Sequence, residues 1–213
     1  MKTRRGGVVV AICVLALAIG VGFAITQPEV WAHRLGSYPQ LHSANDEDGD
    51  SVDDQADILQ SARTYIGSKP KYESKYYASG YPDDDCGVCT DVVAFALKGA
   101  GYDLQALVGK DISDNPNVYR VTNPDANIDF RRVENQRTYF ERHAISLTTR
   151  TDSWEDWQGG DIVTFEDHVG IVSDKRNWQG RPFLIHLAPF QLSREEDALE
   201  RCGTITGHFR ISE

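Results

Sequence analysis

The chain has 213 residues, 40% of them hydrophobic and 25% charged, which suits one globular domain with an appendage and excludes a disordered protein. Its formal net charge is −10 although Lys2, Arg4 and Arg5 make the N-terminus basic, so the remainder is strongly acidic. That balance argues against nucleic acid or anionic lipid headgroups as partners.

Behind the three basic residues, Gly6 to Ile25 is an uncharged apolar run, long enough for a bilayer, which takes roughly 20 residues. Residues 1–26 are read as a signal-anchor or, with Val30-Trp31-Ala32 as a small-residue cleavage site, as a removable signal peptide. The first reading gives a single-pass protein of the cell membrane with an extracytoplasmic C-terminal domain. The second gives a secreted protein, and both export the working domain.

Residues 27–56 read as an acidic linker holding a candidate calcium loop. Asp46, Asp48, Asp50, Val52, Asp54 and Asp57 occupy positions one, three, five, seven, nine and twelve of an EF-hand-like loop, where alternating hard oxygen ligands suit Ca²⁺. Ser51 stands where such loops carry glycine, and Asp57 is a shorter twelfth ligand than glutamate. The run is also similar to the aspartate-rich loops of thrombospondin type 3 repeats. A structural calcium is the expected cofactor, and a solvated acidic linker is the alternative.

The domain proper is expected over 57–213. It opens with a helix, Ile58 to Ile66, stopped by Gly67. Tyr72, Tyr76, Tyr77 and Tyr81 follow in a loop, and Tyr81 is a candidate for lining a substrate groove. Cys89 then opens an amphipathic helix with Val92, Val93, Ala96, Leu97 and Ala100 at helical spacing, ending at Gly101. Unsatisfied N–H groups and the dipole at that end favour thiolate over thiol and could form an oxyanion hole. Asp91, in the first turn, complements the dipole and is a secondary candidate at the site. Cys86 completes a C-x-x-C with Cys89, which opens a redox reading, and it could instead pair with Cys202 as a structural disulfide.

A long segment, Tyr102 to Gln158, separates this helix from the strands and includes a helix from Val133 to Arg142. Arg131 and Arg132 precede that helix as candidates for bidentate binding of a substrate carboxylate. Asp161 to Phe165 reads as a strand that turns back through Glu166 and Asp167. His168 to Ser173 and Pro182 to Leu187 then read as an antiparallel hairpin. A symmetric loop would set Ser173 opposite Arg181 and His168 opposite His186, with both imidazoles on one side. A terminal strand from Gly207 to Ile211 carries His208, read as structural.

A thiol at a helix N-terminus with two imidazoles able to fold against it is the minimal equipment of a cysteine nucleophile. The same residues leave a closed zinc site of Cys86, Cys89, His168 and His186 as an alternative. The runs Gly87-Val88-Cys89-Thr90-Asp91-Val92, Asn127 to Val133, Gly160-Asp161-Ile162-Val163, His168 to Asp174, Ile185-His186 and Gly207-His208-Phe209-Arg210 resemble the bacterial domain of unknown function 1287 over nearly the whole chain from Asp57. That family in turn resembles the NlpC-type cell-wall peptidases of the papain-like superfamily, although Val88 and Thr90 replace the usual Asp and Ser around the cysteine. The resemblance implies an α+β, papain-like core of helices packed on an antiparallel sheet. It further implies Cys89 as nucleophile, His168 as base and His186 as the orienting third member. The implied activity is a cysteine peptidase or amidase acting on the peptide part of peptidoglycan, with no cofactor required for catalysis. A thiol-disulfide redox protein using Cys86 and Cys89, or a catalytically inactive cell-envelope binding domain, is the alternative.

Overall fold

The computed structural model describes residues 38–212. The anchor expected at 1–26 lies outside them, and among the described residues no helix is long and apolar enough to cross a membrane. Among the described residues four α-helices lead into the main sheet: α1 (Asp54–Gly67), α2 (Cys89–Gly99), α3 (Leu104–Asp114) and α4 (Val133–His143). Two short parallel strands, β1 (Lys71–Tyr72) and β2 (Cys86–Gly87), bracket the tyrosine-rich loop. The rest is β3 (Ile145–Ser146), β4 (Ile162–Phe165), β5 (Val169–Arg176), β6 (Pro182–Ile185), β7 (Glu195–Glu196) and β8 (Ile205–Arg210). They form one antiparallel sheet in the order β3-β8-β4-β5-β6-β7, so the expected mixed α and β class with an antiparallel sheet is what the chain adopts.

The helices cover one face of that sheet. Ile58 and Ala62 of α1, Val92, Val93, Ala96 and Leu97 of α2, and Leu104 and Val108 of α3 bury with Ile162, Ile171, Ile185 and Phe209 in the main core. Strand alternation sends Val163, Phe165, Val172 and Leu184 to the other face, where Trp157, Ala198 and Leu199 cover them. Helix α3 was not expected. Its Asp103 caps it by accepting from the N–H groups of Gln105 and Ala106, and Leu104, Val108 and Ile112 form its buried stripe.

The segment before α1 lies against the domain. Gln40 donates to Gly159 O, Ser43 Oγ meets Ser212 Oγ at 2.9 Å, and the Asp53 carboxylate caps α1 at Ala56. The hairpin register differs from the symmetric expectation by two residues. Ile171 pairs with Ile185 and Val172 with Leu184, and a bulge before Arg176↔Pro182 absorbs the extra chain. A two-residue shift conserves side-chain parity, so both imidazoles still share a side. Gly170 is required by this pairing, because a Cβ there would sit 2.8 Å from the Ile185 carbonyl oxygen.

Candidate active site

Cys89 is the first residue of α2 and is 6% exposed. The backbone amides of Val169 and Thr90 act on its sulfur and favour the thiolate. Burial nonetheless dominates and pushes the thiol up to about 11, the amides opposing it and the Asp91 carboxylate adding to it. The resting group is therefore a neutral thiol, contrary to the thiolate that the helix terminus alone suggests. A helix dipole contributes a fraction of a charge near the surface, and here desolvation outweighs it.

The two imidazoles do come together. His168 Nε2 and His186 Nδ1 are 2.7 Å apart, with ring centroids 4.9 Å apart and the planes nearly perpendicular. Burial drives both rings down to about 4, and for His186 the neighbouring His168 adds to the effect. Both are neutral at pH 7. The far nitrogen of His186 meets Gln191 Nε2 at 2.8 Å and Glu196 Oε1 at 3.5 Å. His168 directly precedes Val169, whose amide addresses the Cys89 sulfur, but among the described residues no hydrogen bond joins the thiol to either ring.

The other candidates divide sharply. Asp91 and Arg131 are buried against each other, with Arg131 Nε donating to Asp91 Oδ1 at 2.6 Å and Nη2 to Oδ2 at 2.9 Å. Asp91 also accepts from Val88 N–H, and Arg131 donates to Lys75 O beneath the Tyr77 ring. The expectation that these two contact substrate is corrected: the pair fixes the start of α2 and leaves no charged face free. Tyr81 is corrected likewise, since it packs on Phe95 and Phe130 in the core with its hydroxyl on Asp103. The tyrosine beside the thiol is Tyr72, half exposed and raised by burial and by the proximity of Cys89. Arg132 stays exposed. With Arg120, Arg137, Glu134, Glu166 and Asp167 it lines a cleft of about 740 Å³ that reaches the turn before His168.

Cys86, Cys89 and Cys202 are all free thiols, so the Cys86–Cys202 disulfide is not formed. Cys86 Sγ faces Lys75 Nζ at 3.1 Å and Glu73 at 3.4 Å, which takes it out of the Cys₂His₂ set considered from the sequence. The thiol that does meet the imidazoles is Cys202: ligating atoms of His168, His186 and Cys202 lie within 4.8 Å of one another. Sequence reasoning missed it because it follows irregular chain beyond β7, where no periodicity fixes a side-chain direction.

In the acidic loop, carboxylates of Asp46, Asp48 and Asp50 converge within 4.8 Å. Ser51 adopts φ 78°, the left-handed conformation that glycine supplies in such loops. Burial and the charges of Asp50, Asp48, Asp46 and Asp53 raise Asp57 to about 6. Asp54 turns away and accepts from Tyr102 Oη and Glu47 N–H, and Val52 N–H donates to Asp50.

A family model described as Domain of unknown function (DUF1287) matches residues 59–211. The Escherichia coli (strain K12) protein described as "Uncharacterized protein YijF" is 38% identical over 166 residues, covering 72% of this chain and 80% of that protein. No solved structure matches. The matched span runs from α1 through β8 and so holds Cys89, both imidazoles and Cys202: the chain belongs to the DUF1287 family.

Proposed function

We propose that this protein is an exported thiol hydrolase, a cysteine peptidase or amidase with a papain-like, NlpC-type core, that acts on peptidoglycan peptides through Cys89, His168 and His186. The carrying observation is a buried thiol at a helix start, with the amides of Val169 and Thr90 acting on its sulfur, and a paired His168–His186 at the start of the strand that Val169 opens. The substrate class rests on the motif resemblance, and export to the cell membrane rests on the apolar run after Lys2, Arg4 and Arg5.

In this reading the Cys89 sulfur attacks an amide carbonyl while its proton passes to His168, which delivers it to the leaving amine. Water then cleaves the thioester and restores the thiol. Because thiol and rings are both neutral at rest, proton transfer accompanies attack instead of preceding it. His186 sets the working tautomer. When Glu196 takes the His186 Nε2–H, His168 Nε2–H donates to His186 Nδ1, and His168 Nδ1 keeps a lone pair for the thiol proton. Gln191, anchored by Ala188 N–H on its Oε1, favours the opposite tautomer, so these two side chains compete for the switch.

The test is release of soluble fragments from purified peptidoglycan, read by mass spectrometry in reductant and calcium. Cys89→Ala and His168→Ala are expected to lower the rate by about 10³-fold or more, while Cys86→Ser retains it. Release that survives Cys89→Ala would sink the proposal. Loss that needs both Cys86 and Cys89 would point to dithiol redox chemistry, and indifference to every cysteine to a binding domain.

The acidic loop carries a second, independent proposal, a structural calcium held by Asp46, Asp48, Asp50 and Asp57. It is favoured by the Ser51 conformation and by the carboxylate charges that, with burial, raise Asp57, since a cation would relieve their repulsion. Calcium at about ten times its Kd should stabilise the fold by about 1.4 kcal/mol, a Tm rise of a few degrees that Asp50→Asn abolishes. Equal melting temperatures in calcium and in chelator would end this proposal.

A further inference from the structure

Cys202 closes a turn in which its N–H donates to Ala198 O, and its side chain lies against the smaller core on the far face of the sheet. From there its sulfur reaches the same space as the ring nitrogens of His168 and His186. We propose that His168, His186 and Cys202 bind a divalent cation of borderline softness, Zn²⁺ in chemical class, with three protein ligands and an open fourth position.

The donor set argues for that class. Two imidazoles and one thiolate suit Zn²⁺ and exclude Mg²⁺ or Ca²⁺, which take oxygen. The surroundings are those of a ligand site as well. If His186 binds through Nδ1, its Nε2–H turns to the Glu196 carboxylate at 3.5 Å, which Arg201 holds at 2.8 Å, and the Gln191 amide now 2.8 Å from Nε2 must move aside; the result is the carboxylate–histidine support that metal-bound rings commonly have. Sulfur binds a metal as thiolate, so binding must release the Cys202 thiol proton.

The fit also needs the rings to part. His168 Nε2 and His186 Nδ1 stand 2.7 Å apart, whereas two nitrogens on a tetrahedral Zn²⁺ at about 2.1 Å are about 3.4 Å apart. They must separate by about 0.7 Å, exchanging one mutual hydrogen bond for two metal bonds. His168 is the less buried of the two rings. Occupancy would also take the His168 lone pair away from Cys89 and hold thiol chemistry off. That consequence rests on the hydrolase reading; the binding does not.

The experiment is titration of the reduced, chelator-treated full chain with Co²⁺, followed by displacement with Zn²⁺. One equivalent should give intense visible d–d bands, a thiolate-to-cobalt charge-transfer band and release of a proton. Cys202→Ser should lose the charge-transfer band and bind at least tenfold more weakly, and Cys86→Ser and Cys89→Ser should keep it. Glu196→Gln, which removes no ligand, should keep the band and weaken binding about tenfold, so the prediction survives a Cys202 variant that fails to fold. Absence of the band, or a band that persists in Cys202→Ser and disappears in Cys89→Ser, overturns the proposal. Because the readout is spectroscopic, a failure to cleave peptidoglycan would count against the hydrolase reading and leave this result standing.

Discussion

Asp161→Ala is expected to destabilise the protein by about 3–5 kcal/mol, measured as the change in unfolding free energy in urea at pH 7. Asp161 is fully buried immediately before β4, and four groups converge on it. Arg210 donates twice, at 2.8 and 3.0 Å, Gln55 Nε2 lies at 2.8 Å, Gln158 N–H at 2.8 Å and His208 Nε2 at 3.0 Å. His208 is stacked on Trp157 at 3.9 Å between centroids and is itself buried, so it cannot turn to water. Removing the carboxylate strands the Arg210 guanidinium and several donors, and the cost of unpaired buried groups exceeds the value of the pair that was lost. Gln55 belongs to α1 and Arg210 to β8, so the same substitution loosens the helix from the sheet. Gln55→Ala, which removes a neutral partner, should cost about 1 kcal/mol. A loss under about 1 kcal/mol for Asp161→Ala would show that water replaces the network.

The same residue shows what could be read from the sequence and what could not. The Gly160-Asp161 pair was visible as part of a motif, but its role emerges only from packing. Gly160 adopts φ +96° and a Cβ there would lie 2.5 Å from Gln55 O, and Asp161 accepts from Gln55 Nε2, so the pair anchors α1. The strands β4 and β5 were legible because β-branched runs end in a two-residue turn, closed by Phe165 N–H on His168 O at 2.8 Å. That turn also fixed the side of His168. The exact pairing of His186 was not legible, since the bulge between Val172 and Arg176 has no sequence signal, yet parity preserved the meeting of the rings. Charges misled for a simpler reason. Asp91, Arg131 and Arg132 look alike as exposed-type residues, and only tertiary structure decides that the first two neutralise each other inside while the third faces a cleft. Cys89 was placed correctly at its helix start, whereas its protonation depends on a depth of burial that one-dimensional patterning does not encode.

Acid is expected to unfold the imidazole site well before ordinary carboxylates are lost. His168 and His186 fall from the ordinary 6.5 to about 4 in the folded protein, chiefly through burial, so between these values the unfolded chain binds protons that the native state refuses. Stability from this source is therefore fully present above pH 6.5 and declines as pH falls toward 4. One excess proton in the unfolded state corresponds to about 1.36 kcal/mol per pH unit, or on the order of 3 kcal/mol across the window for the buried His186, with a smaller addition from the partly exposed His168. Asp57 acts with the opposite sign. Its carboxyl, raised to about 6, is protonated in the folded state before it is in the unfolded one, so lowering the pH through 6 relieves repulsion in the acidic loop. The measurement accordingly uses Asp57→Asn as the background, with urea unfolding free energies taken at intervals from pH 7 to 4.5. The background should lose stability steadily below 6.5, and the double replacement His168→Gln, His186→Gln should flatten that slope whatever it does to stability at pH 7. An unchanged slope in the double variant would mean that the rings take up their protons inside the folded protein. In that case the 2.7 Å contact would have to be rebuilt around an imidazolium donating to a neutral ring, and Glu196, 3.5 Å from His186 Nε2, would be the group that stabilises the charge.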